Sequence, residues 1–190
     1  MNNLDENDRP FILLLTGPAG AGKTTAARAW ASKQQRPTAH IPLDDVREFV
    51  KSGFANPPDG WHEEVGRQYR LARQGCATLA INYINAGFLC VIDDAIFPEW
   101  EEVNYAGWQE LLAGAPHYLI VLFPDFEYLV QRNRQRSGNR LLSEAMLRVI
   151  YDLMLPWRDQ DAVPVIDNSK LSIDETVEAL EVEVGRVRKW

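Results

Sequence analysis

Residues 11–24 read FILLLTGPAGAGKT, an apolar run that leads into a glycine-rich segment and then into Lys23 and Thr24. From Gly17 onward the segment fits the phosphate-binding pattern G-x-x-x-x-G-K-[ST] at every fixed position. The apolar run predicts a buried strand, and the alanine-rich stretch that follows, residues 22–33, predicts a helix. Because strand, loop and helix come in the order that the pattern requires, a glycine-rich turn without a ligand is the disfavoured alternative.

The chemistry of this loop indicates a nucleoside triphosphate as its ligand. Glycines let the loop fold so that backbone N–H groups converge on phosphate oxygens, and the dipole of the helix adds to the attraction. Lys23 brings a cation to the outer phosphates, and the Thr24 hydroxyl is suited to ligate magnesium, so ATP and Mg²⁺ are the expected cofactors. Lys23 is also a predicted catalytic residue. The residues predicted to bind the nucleotide here are Gly17, Pro18, Ala19, Gly20, Ala21, Gly22, Lys23, Thr24 and Thr25.

Size and composition predict one globular domain over residues 1–190, with residues 1–9 expected to be flexible. A chain of 190 residues is long enough to bury a full core, and its 46% hydrophobic and 25% charged residues are ordinary for a globular protein. The polar, acidic start resembles neither a secretory signal nor a transit peptide. No apolar stretch approaches the roughly 20 residues that span a bilayer. We expect a cytoplasmic protein without a membrane partner.

The net charge of −7 bears on the class of substrate. Sequence-independent binding to a phosphate backbone depends on clustered Lys and Arg, so the acidity works against it. A small-molecule acceptor is favoured, and a nucleic-acid end held in a local basic cleft is the alternative. Cys76 and Cys90 are too few and too isolated to form a disulfide framework or a zinc site, and both are predicted to lie in the core.

Short apolar runs alternate with longer helical patterns, which is typical of a parallel sheet covered by helices on both faces. We therefore expect an α/β fold of three layers. Residues 53–60, GFANPPDG, predict a loop that is either a substrate-side loop or a plain surface connection. Strands are predicted at 11–15, 39–43, 88–93, 118–123 and 163–167, and helices at 22–33, 45–51, 62–85, 99–112, 126–136, 143–155 and 173–188.

Two carboxylates and an arginine follow the second predicted strand, at Asp44, Asp45 and Arg47. In an open α/β sheet, ligands bind at the carboxyl edge of the strands. One Asp is expected to cap the next helix, and the other to orient an acceptor hydroxyl and take its proton as a general base. We favour Asp44 as the base and Asp45 as the cap. Arg47 either pairs with an anionic group of the substrate or is a solvated first-turn arginine.

The third predicted strand ends in Asp93 and Asp94. A hydrophobic run that ends in an acid supplies a carboxylate to magnesium or to its water shell in such nucleotide sites. Adjacent strand residues point to opposite faces, so at most one of the two faces the metal. Which one does so is left open; Asp93 is the working assignment for the metal and Asp94 for the acceptor. The alternative is that the pair only caps the next turn.

Four arginines crowd the end of a predicted helix and the turn after it, which predicts a basic lid over residues 132–140. Arg132 and Arg136 are four apart and share a helix face. An arginine brought over a transferring phosphoryl group raises the rate by about a thousandfold or more. The alternative is a solvated basic face at a helix C-terminus, where the dipole favours cations. The four arginines are Arg132, Arg134, Arg136 and Arg140.

Three further positions have a functional and a structural interpretation. Asn168, just beyond the fifth strand, is predicted to contact the adenine side of the nucleotide, or else to form a turn. Trp61, after the 53–60 loop, is predicted to wall the acceptor pocket, or else to pack in the core or at its rim. His40 and His117 adjoin strands without the spacing of a nucleophile or a metal ligand, and we interpret them as structural.

Set side by side, the phosphate loop, the LDDVR segment at 43–47, the Asp93-Asp94 strand end and the LVQRNRQR segment at 129–136 make this chain similar to the small P-loop kinases. That group includes phage polynucleotide kinase, chloramphenicol phosphotransferase, gluconate kinase and zeta-type toxins. The resemblance runs from Phe11 to about Asp174. It implies a P-loop NTPase fold whose five parallel strands are arranged in the order 2-3-1-4-5.

The resemblance also implies roles for individual residues. In the polynucleotide kinase branch the first Asp of an Asp-Asp-x-Arg segment is the base, which falls on Asp44, and the substrate-contacting arginine falls on Arg47. The phosphate-binding lid arginine falls on Arg136, with Arg132 as the second candidate. The expected activity is ATP-dependent phosphorylation of a hydroxyl on a small molecule. The alternatives are a kinase of RNA or DNA 5′-hydroxyl ends and a non-catalytic, nucleotide-binding interaction protein.

Overall fold

The computed structural model describes residues 9–135 and 141–188, apart from the side chain of Pro58. The predictions for residues 1–8 and for the catalytic Arg136, together with the rest of the lid over 136–140, lie outside the described residues. The strands are β1 (Ile12–Thr16), β2 (Thr38–Pro42), β3 (Leu89–Asp93), β4 (His117–Leu122) and β5 (Val165–Ile166). The α-helices are α1 (Lys23–Lys33), α2 (Leu43–Arg47), α3 (Glu63–Asn85), α4 (Tyr105–Leu111), α5 (Phe126–Asn133), α6 (Glu144–Met154) and α7 (Ile173–Val187).

The five strands form one parallel sheet in the order β2-β3-β1-β4-β5. The central strand β1 pairs with β3, where Ile12 lies opposite Cys90, and with β4, where Ile12 lies opposite His117. Every residue of β1 and of β3 is buried, as expected for strands that are covered on both faces. The predicted fold class and strand order are confirmed.

The direction of each connection decides which face of the sheet its helix covers. The β1 to β2 connection runs one way along the sheet, and the later connections run the other way. Because parallel crossovers are right-handed, α1 covers one face and α3 with α4 covers the other. The packing agrees, since α1 contacts α7 and α3 contacts α4. This topology brings the carboxyl ends of all five strands to one edge.

Two helices differ from their predictions. The helix predicted over 99–112 is split into a short 3-10 turn at Glu101–Val103 and α4, because the Asn104 side chain accepts a hydrogen bond from the Gly107 N–H and caps α4. The helix predicted over 45–51 begins earlier, at Leu43, after Pro42. Asp44 and Asp45 therefore both lie in its first turn, and the prediction that Asp45 caps this helix is wrong. No helix in the described ranges is long and apolar enough to cross a membrane.

Candidate nucleotide and acceptor site

The glycine-rich loop leaves β1 at the carboxyl edge of the sheet and leads directly into α1. Gly17 has a φ of +146°, and a Cβ there would lie 2.0 Å from the carbonyl oxygen of Leu122 at the end of β4. Gly22 precedes α1 with a φ of +90°, in the left-handed region that favours glycine. Glycine is therefore required at Gly17 by close approach to backbone and at Gly22 by conformation. The loop amides come to lie at the N-terminus of α1, where the helix dipole favours an anion.

Lys23 folds back over this loop. Its Nζ donates to the carbonyl oxygens of Gly17 at 2.8 Å and Pro18 at 3.2 Å. The ammonium is thus held against the loop itself, next to the space enclosed by the loop amides. A bound phosphate would compete with these carbonyls for the same cation.

Asn168 and Arg132, which were predicted to contact the nucleotide, donate hydrogen bonds to the backbone of the glycine-rich loop. The Ala21 carbonyl accepts hydrogen bonds from Asn168 Nδ2 at 2.9 Å and from Arg132 Nη1 at 3.4 Å. Arg132 Nη2 also donates to the Asn168 carbonyl at 2.8 Å, and burial lowers the pKa of its guanidinium from the ordinary value. Asn168 is buried, and its Oδ1 has no hydrogen-bond partner among the described residues. Direct contact of either residue with the nucleotide stays a prediction.

The described part of the predicted lid consists of the last two residues of α5 and the two residues that follow it. Asn133, the last residue of α5, donates through Nδ2 to the Leu142 carbonyl at 2.7 Å and accepts from the Leu142 N–H at 3.1 Å. These two hydrogen bonds join the end of α5 to Leu142, which follows the predicted lid in the sequence. The sequence analysis missed Asn133, because an asparagine among arginines carries no signal of a distant backbone partner.

Asp93 lies against the loop and meets two side chains. Its Oδ2 accepts a hydrogen bond of 2.6 Å from the Thr24 hydroxyl, and its Oδ1 lies 2.6 Å from His40 Nε2. Hydroxyl and carboxylate oxygens are the donors that magnesium prefers, so this pair fits that ion. The described residues contain no cluster of three or more His, Cys, Asp or Glu that could hold a metal. Thr24 and Asp93 are the residues that would hold a magnesium ion at this loop.

The contact of His40 with Asp93 was missed by the sequence analysis. His40 lies opposite Val91 in the pairing of β2 with β3, so Asp93 is two residues further along on the same face. Knowledge of this register would have identified the pair. His40 was interpreted as structural because it lacks the spacing of a nucleophile or a metal ligand, and short apolar runs do not specify the register between parallel strands that would have shown the contact.

Asp94 points away from the loop, as adjacent strand-end residues do. Its side chain is 1% exposed and accepts hydrogen bonds from Arg73 Nη2 at 2.6 Å and from Trp108 Nε1 at 2.9 Å. Side chains of α3 and α4 thus enclose this carboxylate, and its contact with an acceptor stays a prediction. Arg73, which the sequence analysis did not single out, is its buried partner.

Asp44 and Arg47 lie on α2 directly after β2. The Asp44 side chain is 72% exposed, whereas that of Arg47 is 6% exposed. Arg47 Nη1 donates to Asp44 Oδ1 at 3.2 Å. The interpretation of Arg47 as a solvated first-turn arginine is wrong, since α3 and the 53–60 loop bury it.

Trp61 belongs to an aromatic group beside this pair. Its ring centroid lies 5.3 Å from that of Tyr69 and 4.4 Å from that of Trp100. Burial raises the pKa of the Tyr69 hydroxyl, and the Arg47 guanidinium opposes that shift. Trp61 is half-buried, so one part of it packs and another part reaches the surface. Its contact with an acceptor stays a prediction.

The phosphate loop follows β1, Asp44 follows β2 and Asp93 ends β3, so all three lie at the edge where an open α/β sheet binds its ligands. Fold and site together define a protein with the P-loop NTPase fold of the small kinases. The chain belongs to the AAA domain family AAA_33, whose model matches residues 12–154. No curated protein matched the sequence.

Solved structures with a similar fold include several kinases. A gluconokinase from Sinorhizobium meliloti has a TM-score of 0.68 at 14% identity, covering 95% of this chain and 94% of that chain. A thymidylate kinase from Candida albicans has a TM-score of 0.62 at 15% identity, covering 95% and 93%. A chain of the Pnkp1/Rnl/Hen1 RNA repair complex has a TM-score of 0.62 at 16% identity, covering 83% of this chain and 47% of that chain. At these identities the likeness concerns the fold, and it confirms the resemblance to the small P-loop kinases.

Proposed function

We propose that this protein is an ATP- and magnesium-dependent kinase that transfers the γ-phosphoryl group to a hydroxyl of a small molecule. The observation that carries the proposal is the arrangement of Lys23, Thr24 and Asp93 beside an exposed carboxylate, Asp44, at one edge of the sheet. A nucleotide-binding loop alone would fit many activities. The exposed carboxylate of Asp44, which follows β2, the strand paired with β3, supports a phosphotransferase.

In this proposal the loop amides and Lys23 hold the phosphates of ATP. Thr24 and Asp93 provide the protein oxygens for magnesium, either directly or through its water shell. When bound there, the ion would supply positive charge that offsets the negative charge of the phosphate oxygens. His40 holds the Asp93 carboxylate from its other oxygen.

Asp44 has the role of general base. It accepts the proton of the acceptor hydroxyl while that oxygen bonds the γ-phosphorus and the bond to the ADP oxygen breaks. Its exposed side chain is open to an incoming hydroxyl, whereas Asp94 is enclosed. Arg136 is proposed as the arginine that meets the charge of the transferring group, with Arg132 as the second candidate.

The experiment that tests the proposal is a screen for acceptor-dependent ADP release across sugars, nucleosides, aminoglycosides, phenicols and 5′-hydroxyl oligonucleotides. We expect Asp44→Asn to lower turnover by about 10²–10⁴-fold, the usual contribution of a general base, with unchanged ATP affinity. Asp45→Asn is the matched control, since it removes an exposed carboxylate from the same helical turn, and it should retain turnover within about threefold.

Four results would contradict the proposal. Full turnover by Asp44→Asn would exclude Asp44 as the base, and loss of nucleotide binding in that variant would assign the residue another role. ATP binding by the unaltered protein without ADP release for any acceptor would favour a non-catalytic nucleotide-binding protein. Transfer of the phosphoryl group to the oligonucleotide but to no small molecule would indicate a kinase of nucleic-acid 5′-hydroxyl ends.

A further inference from the structure

Arg47 joins two parts of the acceptor side through a single guanidinium. Its Nη1 donates to Asp44 Oδ1 at 3.2 Å, and its Nη2 donates to the carbonyl oxygen of Ala55 at 3.2 Å. Ala55 lies in the middle of the 53–60 loop. The orientation of the exposed Asp44 carboxylate is thereby tied to the position of that loop.

The guanidinium is also held by aromatic rings. Its Cζ lies 4.1 Å from the ring centroid of Tyr69 on α3 and 5.2 Å from that of Phe54 in the loop. A planar guanidinium stacks on aromatic faces and donates in two directions at once, which a lysine ammonium on a flexible stem does not reproduce. Arg47 is therefore fixed in its plane as well as through its hydrogen bonds.

The loop is fastened at the same place from α3. Gln68 Oε1 accepts from the Ala55 N–H at 2.9 Å, and Gln68 Nε2 donates to the Gly53 carbonyl at 2.8 Å. Both backbone groups of Ala55 thus have buried side-chain partners, one on α3 and one on α2. Without the donor from Arg47, the Ala55 carbonyl would lose its partner on α2.

The exposure of the pair is asymmetric. The Asp44 side chain is 72% exposed, and that of Arg47 is 6% exposed. The remaining donor of Arg47, Nε, is buried and has no partner among the described residues. A substrate can only contact a side chain that is accessible from the surface. The Arg47 guanidinium lies beneath the exposed Asp44 carboxylate and is therefore not accessible to a charged group of the substrate.

We propose that Arg47 is a positioning residue, which aims the Asp44 carboxylate and fastens the 53–60 loop, and that it does not bind a charged group of the acceptor. The inference rests on the proposed function, since it assigns Arg47 to the geometry of the base. It further defines the acceptor as a hydroxyl compound that gains nothing from an anionic group near Arg47. A phosphorylated acceptor and its unphosphorylated form should then depend on Arg47 equally.

Arg47→Met tests this proposal, because methionine keeps much of the length and apolar packing and removes all donors. We expect kcat to fall about a hundredfold, since small misplacement of a reacting group has that effect, while the KM for the acceptor and the affinity for ATP change little. Amide hydrogen exchange at residues 53–56 should increase, and exchange at residues 17–24 should not. A nucleoside and its 3′-phosphate serve as the paired neutral and anionic acceptors.

Two variants complete the design. Arg186→Met is the matched control and should change none of these quantities. Arg186 lies on α7, its side chain is 68% exposed, and among the described residues it pairs with Glu183 at the surface. Arg47→Lys keeps the positive charge and replaces Arg47→Met in the same measurements if the methionine variant does not fold. One ammonium does not reach both Asp44 and Ala55 in a fixed plane, so we expect loss of kcat and faster exchange at 53–56 here as well.

The outcomes separate this inference from the proposed function. Unchanged exchange at residues 53–56 in the Arg47 variants overturns the inference whatever the activity. So does a rise in KM that is confined to the phosphorylated acceptor, because it would mean that Arg47 binds that charge. Absence of acceptor-dependent ADP release by the unaltered protein overturns the proposed function, whereas the exchange measurement requires no acceptor and still decides whether Arg47 fastens the loop.

Discussion

His40 and Thr24 hold the two oxygens of one carboxylate. With 2.6 Å on each side, the Asp93 side chain has a single orientation, and its exposed fraction is 7%. Because the carboxylate is already oriented, it would lose little conformational entropy on binding a cation or a water molecule of that cation. In the proposed function, His40 would act on the magnesium site through Asp93, as outer partners of metal ligands do.

At the residue scale we expect His40→Ala to weaken magnesium-dependent ATP binding by about tenfold, since loss of such outer partners typically reduces metal affinity by 10- to 100-fold. Binding of ATP without magnesium should be unchanged. Calorimetric titration with and without the cation measures both. His117→Ala is the control, because His117 is also a half-buried strand residue, and its contacts among the described residues are the Ala115 carbonyl, at 2.8 Å, and the Tyr105 ring. Equal weakening by the two substitutions would contradict a specific role for His40.

At the scale of elements, Arg73 on α3 holds the connection between β3 and α4. Its Nη2 donates to Asp94 Oδ2 at 2.6 Å and to the Val103 carbonyl at 2.8 Å, and its Nη1 donates to the Asn104 carbonyl at 3.1 Å. Asp94 directly follows Asp93, so the same contacts fix the backbone that carries the proposed metal ligand.

We expect Arg73→Met to lower the free energy of unfolding by about 3–5 kcal/mol, because it leaves the Asp94 carboxylate buried without its cation. Asp94→Asn should be destabilising too, and the double variant should lose less than the two single losses together. Urea unfolding of the four proteins measures the coupling. Arg186→Met, which breaks a surface pair, should cost less than about 1 kcal/mol. Strictly additive losses would show that Arg73 and Asp94 do not stabilise each other.

At the scale of the whole molecule, the reactivity of the two cysteines measures how often the core becomes exposed by unfolding. Cys76 on α3 and Cys90 on β3 are fully buried, and burial raises the pKa of each thiol to about 12. Since the thiolate is the reactive form, neither should react with a thiol reagent at pH 8 unless the core opens.

Labelling at pH 8 should therefore be at least about a hundredfold slower in buffer than in urea that unfolds the chain. ATP with magnesium should slow it further, because a ligand that binds only the folded state stabilises that state by mass action. Mass spectrometry over time measures the labelled fraction. Rapid labelling in buffer would contradict the assignment of both thiols to a closed core.

Local sequence patterns were sufficient to predict the strands, the helices and the phosphate loop. The apolar run at residues 11–15 lies between other strands, so its residues are apolar on both faces, and Gly17 to Thr24 have a spacing that few other structures require. Asp44 could be chosen as the candidate general base because it directly follows a predicted strand. The roles of Arg73, Asn133 and Gln68 could not be predicted, because the partners that define these roles lie 9 to 31 residues away and no local pattern encodes such pairings.

By itself, then, the sequence determined the phosphate loop, the alternation of strands and helices, and the presence of acids at the strand ends, since each depends on the order of neighbouring residues. Only the tertiary structure decided that Asp93 meets Thr24 while Asp94 meets Arg73, and that Arg47 lies beneath Asp44. The physical reason is that the direction of a side chain depends on strand register and on the helices packed against it. Register and packing arise between segments that are distant in the chain.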